Sequence, residues 1–509
     1  MSSAAVNATA ALIKVKVNGV ASQLASGKLL PALRAAGFRV PSVCYHPDVE
    51  HSGGRCRVCV CKVNGRTATP CNMPVEEGMD IVTESSELTH DRVAAFALIP
   101  NAVNMQGKFP ETQMTDELQA IAKTLPPLPT TAGMSYEALP IKQNDKKYVI
   151  SHPDKCVHCG LCVQMCAQIQ GLGAIAEMRK PHRKPSLGEE AGGVHAFHDT
   201  SLFLSECVSC GQCINVCPYG ALEEVSEVDA VDALLKDESK VKVVQFAPAV
   251  RVALAEEFGC EPGTRSVTQE MVGALRKIAK NTAVYDTSFT ADLTIVEEAA
   301  ELLERLRRTL TKTRKYGPDN EHMEISLPMI TSCSPGWVLF CEKNYHELLP
   351  HLSTCKSPQQ MHGAITKHYW AHKHGYEPKD VTAISIMPCV AKKVEKDRPE
   401  FSTDGHPDVD HVLTTREFAK LLKKNNINLL DGPCEDFDIS FGLATSAGLV
   451  FGATGGVMEA ALRTAYNIIT GRDVPFKGLE ITAIRGMEGV RIRTIPLRDV
   501  LPEWAFLEG

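Results

Sequence analysis

Two segments of this chain read C-x2-C-x2-C-x3-C. They are CVHCGLCVQMC, with Cys156, Cys159, Cys162 and Cys166, and CVSCGQCINVCP, with Cys207, Cys210, Cys213, Cys217 and Pro218. This spacing constrains the chain more than any other feature. Three close thiolates hold three corners of a [4Fe-4S] cube, and the fourth Cys of each run reaches across to the other cluster. The interspersed Gly residues let backbone N–H groups approach the sulfides. A zinc ribbon would show paired CxxC knuckles instead of triplets. The two runs form an internal repeat, and two [4Fe-4S] clusters follow.

A second set, Cys44, Cys56, Cys59 and Cys71, is spaced C-x11-C-x2-C-x11-C. It differs from the plant-type spacing, yet four thiolates on a β-rich scaffold suit a [2Fe-2S] centre, with zinc as the alternative. Cys61 is expected to pack within a strand. The remaining thiols, Cys260, Cys333, Cys341, Cys355, Cys389 and Cys434, are scattered, and for any one of them a buried structural role is the default. With 19 Cys in short-spaced sets and no secretory signal, metal ligation in a reducing compartment outweighs disulfides.

The order of elements places these sets. Residues 12–88 alternate in LIKVKVNGV and turn at Asn-Gly, a hairpin signal repeated in CVCKVNGRT. Residues 89–145 read as partly helical and end in a Pro-rich linker, and residues 146–228 hold the two Cys runs. From 240 to 509 strands alternate with helices, which argues for α/β with a largely parallel sheet. SPQQMHGAITKHYW opens a helix with Ser as cap and Pro at the first position. TSCSPGW, Thr331 to Trp337, reads as a strand ending in a turn, or as a strand end presenting a thiol to a buried metal centre. A Pro near each of Cys333 and Cys389 marks a strand end, where function gathers in open α/β sheets. A net charge of -7 argues against nucleic-acid binding, and no run of 18 apolar residues spans a membrane.

Together, CYHPDVEHSGGRCRVC, the paired runs, FAPAVRVALAEEFG, DTSFTADLTIVEE, TSCSPGW, KSPQQMHGA, IMPCVAKKVE and FGATGGVMEAALRTAY resemble the long form of the [FeFe]-hydrogenases. The resemblance implies a multidomain α+β and α/β protein. Its expected parts are a disordered leader (1–11), a β-grasp-like [2Fe-2S] domain (12–88) and a degenerate His/Cys cluster domain with linker (89–145). A dicluster ferredoxin-like domain (146–228) and an α/β hydrogenase-type domain (240–509), expected to be incomplete at its C-terminus, follow. The implied reaction is 2 H+ + 2 e- = H2, run reversibly at an H-cluster fed by the other centres. By motif, Cys389 is a cube ligand, Lys392 bonds a cyanide, and Pro248, Gln359 and Met387 line the pocket. Cys333 delivers protons, with Glu298, Glu301 and Ser353 as the relay behind it. The bland reading of Glu298 and Glu301 is a solvated helix face.

Three departures accompany the resemblance. Ser334 stands where the family has a second Cys that ligates the cube, and its oxygen is a harder, less acidic ligand. No Cys follows Cys434, so the family's last two-Cys motif is missing. The stretch VNMQGKFPETQMTDELQ carries neither His nor Cys where most long forms bind a further cluster, with Asp116 at its last Cys position. No cluster is expected there, and electron transfer from the [2Fe-2S] domain then depends on close domain packing. The alternative function is a non-catalytic, hydrogenase-derived electron-transfer or iron–sulfur binding protein. Expected partners are a ferredoxin or similar small carrier, docked on basic runs such as RLRRTLTKTRK or RKPHRKP unless these are solvated faces, and maturation proteins if an H-cluster is made. The expected compartment is the cytoplasm, with hydrogenosome, mitochondrion or plastid as the alternative.

Overall fold

The computed structural model describes residues 11–49, 52–97, 99, 148–152, 155–177, 194–196, 205–311, 326–439, 441, 443–452, 455–475, 482–484, 487–492 and 494–508. They fall into two compact units, Met1–Val225 and Ser226–Gly509. The RKPHRKP run, the Pro-rich linker and Asp116 lie outside the described residues.

In the first unit, β1 (Leu12–Val17) and β2 (Val20–Ala25) form an antiparallel hairpin, as do β3 (Cys61–Val63) and β4 (Arg66–Ala68). Both turns are Asn-Gly, with φ +48° and +84° at Asn18 and Gly19 and +51° and +77° at Asn64 and Gly65. Two consecutive left-handed residues match the twist of the flanking strands, which is why Asn-Gly selects this turn. Strand β5 (Asp80–Val82) lies between the hairpins, parallel to β1 and antiparallel to β3, giving the order β2-β1-β5-β3-β4. Val15 and Val17 of β1 face inward, and α1 (Leu29–Ala35) covers them with Leu29, Leu30 and Leu33. This is the β-rich unit predicted from the alternation. The helix α2 (Ser86–Ala97) places buried Arg92 so that it donates to Val60 O and Thr83 O.

Further along the first unit, β6 (Val149–Ser151) pairs antiparallel with β9 (Leu222–Glu224), and β7 (Ile175–Glu177) with β8 (Val194–Ala196). The two Cys runs lie between β6 and β9 in sequence. They repeat one backbone path. His158 and Ser209 are left-handed at φ +52° and +55°, and Gly160 and Gly211 both take φ +76° before a short helix at Leu161–Gln164 or Gln212–Asn215.

The second unit is built on a four-stranded, wholly parallel sheet. Its strands are β10 (Val241–Phe246), β11 (Ala283–Asp286), β12 (Val381–Met387) and, after the small hairpin of β13 (Ser402–Thr403) and β14 (His406–Pro407), β15 (His411–Thr414). The order is β11-β10-β12-β15. Helices α3 (Val228–Lys236), α4 (Thr268–Ile278), α5 (Ser288–Thr311), α6 (Pro335–Asn344), α7 (Pro358–Ile365), α8 (Thr415–Lys424) and α9 (Gly456–Thr470) complete it. In α8, Thr414 and Glu417 close a capping box, and Phe418, Leu421 and Leu422 supply the apolar stripe. Phe418 meets Phe246 of β10 edge to face at 5.1 Å, and both are fully buried. Burying each such ring stabilises the unit by about 1.5–3 kcal/mol.

Two local readings take a sharper form. The Ser357 side chain accepts from Gln360 N and Pro358 opens α7, the predicted cap and first position. The FGATGG run, quoted above only for its resemblance, serves close backbone packing at a helix start, since a Cβ on Gly456 would stand 1.7 Å from Val450 O. TSCSPGW, by contrast, does not end a strand in a turn. Ile330 makes one isolated bridge to Leu352, residues 331–334 run without regular structure, and α6 begins at Pro335. A proline at the first helical position loses no hydrogen bond, so Ser-Pro here starts a helix.

Candidate metal centres and proton relay

The four thiols of the first set stand as two pairs. The Cys44 and Cys56 sulfurs are 3.4 Å apart, and those of Cys59 and Cys71 are also 3.4 Å apart. Three of these residues lie on the long loop before β3, and Cys71 lies on the turn Pro70–Asn72. Gly54 N donates to the Cys71 sulfur at 3.1 Å, and Cys56 N to that of Cys44 at 3.4 Å. A Cβ on Gly53 would come within 3.0 Å of the Cys71 sulfur, so the loop can close over the thiols only as glycine. Within each pair, one thiol accepts the other's hydrogen bond. That drives Cys56 and Cys71 below the ordinary thiol range and Cys44 and Cys59 above it. Two separate pairs suit two irons with two thiolates each. A single zinc would need all four in one tetrahedral shell, and among the described residues no three His, Cys, Asp or Glu gather closely enough for a single ion. Cys61 is buried on β3, where its sulfur donates to Cys59 O at 3.6 Å and accepts from Arg92 Nη2 at 3.9 Å, and it joins neither sulfur pair.

The two Cys runs interleave. Cys217 of the second run lines a cavity with Cys156, Cys159 and Cys162 of the first. Reciprocally, Cys166 raises the pKa of Cys213, as do Cys207 and Cys210, although burial is the largest cause. Burial likewise pushes Cys159 up to about 12, partly offset by a hydrogen bond from the Leu161 backbone. Ser209 N donates to the Cys207 sulfur at 3.4 Å, an orientation its left-handed backbone permits. The donor set of each half, three thiols of one run and one of the other, fits a [4Fe-4S] cube.

In the second unit, the carboxyl ends of the parallel strands gather the pocket residues named from sequence. Pro248 follows β10, Met387 ends β12, and Cys389 follows it. Gln359 on α7 is 1% exposed; its Nε2 donates to Lys392 O at 3.2 Å and Glu395 Oε2 at 3.0 Å, while its Oε1 has no partner. Lys392 Nζ donates to Cys333 O at 2.9 Å and to Glu395 Oε2 at 3.0 Å. The TSCSPGW segment and the IMPCVAKKVE segment are thereby tied together. Burial pushes the Cys333 and Cys389 thiols up, with the Lys392 charge acting against it in both.

Behind Cys333 lies a carboxylate pair on α5. Glu298 is 1% exposed, and neither of its carboxyl oxygens has a hydrogen-bond partner. Burial raises its pKa from the ordinary 4.5 to about 7; weak hydrogen-bonding approaches of Ser353 and the Ser332 backbone, short of normal hydrogen-bond geometry, oppose the shift, and the Glu301 charge adds to it. Glu301 accepts from Ser353 Oγ at 2.8 Å, from Thr354 N at 3.0 Å and from Arg305 Nη2 at 2.6 Å. The solvated-face reading of Glu298 is therefore wrong. The face of α5 that carries Ala291, Ile295 and Ala299 also carries Glu298, and it is buried.

Three side chains that sequence reasoning passed over complete this region. Arg305 is 1% exposed and donates to Glu301 and to the carbonyls of Ser326, Pro350 and Leu352. Its position four residues after Glu301 was a usable signal. It also removes one residue from the RLRRTLTKTRK run as a docking or solvated face: Arg305 is interior, whereas Arg307 lies 4.6 Å over the Trp504 ring, Arg308 pairs with Glu304, and Lys312, Arg314 and Lys315 lie outside the described residues. Glu395 joins Lys392 and Gln359, and the Cys355 sulfur stands 3.5 Å from Glu301 Oε2.

Ser334 is exposed and its side chain makes no helix cap. Of the two cube positions that the sequence retains, Cys389 supplies a thiolate and Ser334 an exposed hydroxyl, a harder and poorer ligand for iron. The proton side of the pocket fits its role, whereas Ser334 does not fit a cube ligand.

Three family models match the sequence. The iron only hydrogenase large subunit, C-terminal domain, matches residues 240–509. The chain belongs to the iron-only hydrogenase family. A 2Fe-2S iron-sulfur cluster binding domain matches residues 10–86 and a 4Fe-4S dicluster domain residues 152–221. This family member is 38% identical over 501 residues to an NADP-reducing hydrogenase subunit of Solidesulfovibrio fructosivorans, covering 96% of this chain and 81% of the relative. It is 32% identical to iron hydrogenase 1 of Clostridium pasteurianum, over 94% of this chain and 79% of that one. Cytosolic iron-sulfur assembly component 3 of Bos taurus is 29% identical over 55% of this chain and 58% of its own length. A solved [FeFe]-hydrogenase from Chlamydomonas reinhardtii is 43% identical, with 52% of this chain and 63% of that chain covered and a TM-score of 0.45. The chain is a hydrogenase-like iron–sulfur oxidoreductase with 2Fe-2S and 4Fe-4S cluster-binding domains, and among the described residues no helix is long and apolar enough to cross a membrane.

Proposed function

We propose that this hydrogenase relative passes electrons along one [2Fe-2S] and two [4Fe-4S] centres toward a pocket that delivers protons for the reversible reaction 2 H+ + 2 e- = H2. Cys44, Cys56, Cys59 and Cys71 hold the [2Fe-2S] centre. Cys156, Cys159, Cys162 and Cys217 hold one [4Fe-4S] centre, and Cys207, Cys210, Cys213 and Cys166 the other. When bound, the clusters supply one-electron redox chemistry. The observation that carries the reading is the buried, unpartnered Glu298 carboxyl with a pKa of about 7, poised between Cys333 and the Ser353–Glu301 pair. Protonated Glu298 can give a proton toward Cys333 and take one back through Ser353 from Glu301, a group titrating near working pH being best suited to that exchange. Pro248, Gln359 and Met387 shape the pocket, and Lys392 fixes Cys333 through its carbonyl.

A second reading, electron transfer without H2 chemistry, is favoured by one observation, the exposed Ser334 hydroxyl where the resemblance places a cube thiolate. The likeness to an iron–sulfur assembly component supports it too. Infrared spectra of protein coexpressed with hydrogenase maturation proteins discriminate between the two. CO and CN bands with H2 evolution support the first reading, and their absence from cluster-replete protein supports the second. A small ferredoxin-like carrier as electron partner, the cytoplasm as compartment and the five-part division 1–11, 12–88, 89–145, 146–228 and 240–509 belong to the same proposal.

A further inference from the structure

The missing His/Cys motif raises the question of how an electron leaves the [2Fe-2S] centre. Among the described residues of the first unit, the two kinds of centre come together directly. Cys56 and Cys159, ligands of different centres in the proposal above, pack against one apolar cluster containing Val43, Val58, Phe96 and Val157. Tyr219 packs against the same cluster and lines the cavity of Cys156, Cys159, Cys162 and Cys217. Its O–H donates to Val43 O at 2.8 Å. Val43 precedes Cys44, and Tyr219 follows Cys217 by two residues. One hydrogen bond therefore joins a thiol of the [2Fe-2S] set to a thiol of the nearer [4Fe-4S] set through a short stretch of covalent chain. The same interface is tight at a second point, where a Cβ on Gly160 would stand 2.5 Å from the Arg55 guanidinium carbon.

We infer that Tyr219 is a positioning residue for direct electron transfer between the [2Fe-2S] centre and the [4Fe-4S] centre of Cys156, Cys159, Cys162 and Cys217. Its ring and its hydrogen bond to Val43 fix the separation and give a bonded path. One electron leaves the reduced [2Fe-2S] centre, which becomes oxidised, and enters the oxidised [4Fe-4S] centre, which becomes reduced. Tyr219 gains and loses neither electron nor proton. The inference rests on the cluster assignment above.

The test uses the full chain with its clusters assembled anaerobically. Iron and sulfide content report the clusters, pulsed EPR of the fully reduced protein reports spin coupling between the two centres, and flash reduction reports their equilibration rate. In the unmodified protein the two centres are spin-coupled. Tyr219→Leu keeps the iron content and slows equilibration about tenfold or more, as expected when positioned reactants lose their alignment. Tyr219→Phe keeps the ring, loses the hydrogen bond and slows it less. Uncoupled centres in the unmodified protein overturn the inference. So does an unchanged rate in both variants with full iron content. Iron content short of three clusters in the unmodified protein overturns the cluster assignment, and the inference with it.

Discussion

Replacing Glu298 by Gln tests the relay at its most unusual group. The carboxyl is 1% exposed, has no hydrogen-bond partner on either oxygen, and titrates at about 7 instead of 4.5. A shift of that size corresponds to about 3 kcal/mol of preference for the neutral form. Its sign is set by burial. The folded chain binds the proton more tightly than the unfolded chain, so this group's stabilising contribution is complete below the unfolded pKa of 4.5 and is lost as pH rises through about 7. Gln is neutral at every pH and has nearly the same shape, so Glu298→Gln removes the pH dependence without emptying the site. Difference infrared spectroscopy reads the protonated carboxyl directly. We expect a carbonyl band in the unmodified protein that disappears between about pH 6 and 8 and is missing from Glu298→Gln. Proton delivery in the variant should fall about 100-fold or more, the scale of a lost general acid–base group. A band that persists unchanged in Glu298→Gln, or no carboxyl titrating in that window, would refute the argument from burial.

Three further outcomes follow from the described geometry. Arg305→Met strands Glu301 and leaves the carbonyls of Ser326, Pro350 and Leu352 without their donor; thermal unfolding of the second unit should show a loss of about 3–5 kcal/mol, as for a broken buried pair. Cys61→Ala should leave the visible absorption of the [2Fe-2S] centre intact, whereas Cys59→Ala should abolish it, because Cys61 is buried beside Arg92 while Cys59 pairs with Cys71. Gly456→Ala should prevent α9 from seating, since its methyl would meet the Val450 carbonyl at 1.7 Å; a fall in soluble yield is the readout, and Gly405→Ala, with open space around it and strained only by its backbone φ of +78°, is the milder control.

Much of this was legible in the chain because the signals are local. The Asn-Gly hairpins, the Ser-Pro start of α7 and the apolar runs of β10 and β12 each state their structure within a few residues. The Cys runs carry their chemistry in spacing alone. What sequence did not decide was direction. Glu298 and Glu301 share a helix face, yet the pattern of charges made that face look solvated. Ile295, three residues before Glu298, and Ala291, seven before, placed Glu298 on the apolar stripe, and that periodicity outweighs its charge. Arg305 was hidden in a basic run: Glu301 is a local partner, but its other acceptors, the carbonyls of Ser326, Pro350 and Leu352, lie some 20 to 50 residues away in sequence. TSCSPGW misled through its proline, which punctuates a turn and opens a helix equally well.

The crossing of Cys217 into the cavity of Cys156, Cys159 and Cys162 has a consequence for how this protein can change. Neither run is a self-sufficient module that could be deleted, transplanted or allowed to decay while the other goes on working. On the proposed assignment, loss of Cys217 or Cys166 takes a ligand from the other run's centre. A lineage that dispenses with one cluster must therefore keep that run's crossing thiol, or find a substitute for it, if the other cluster is to survive.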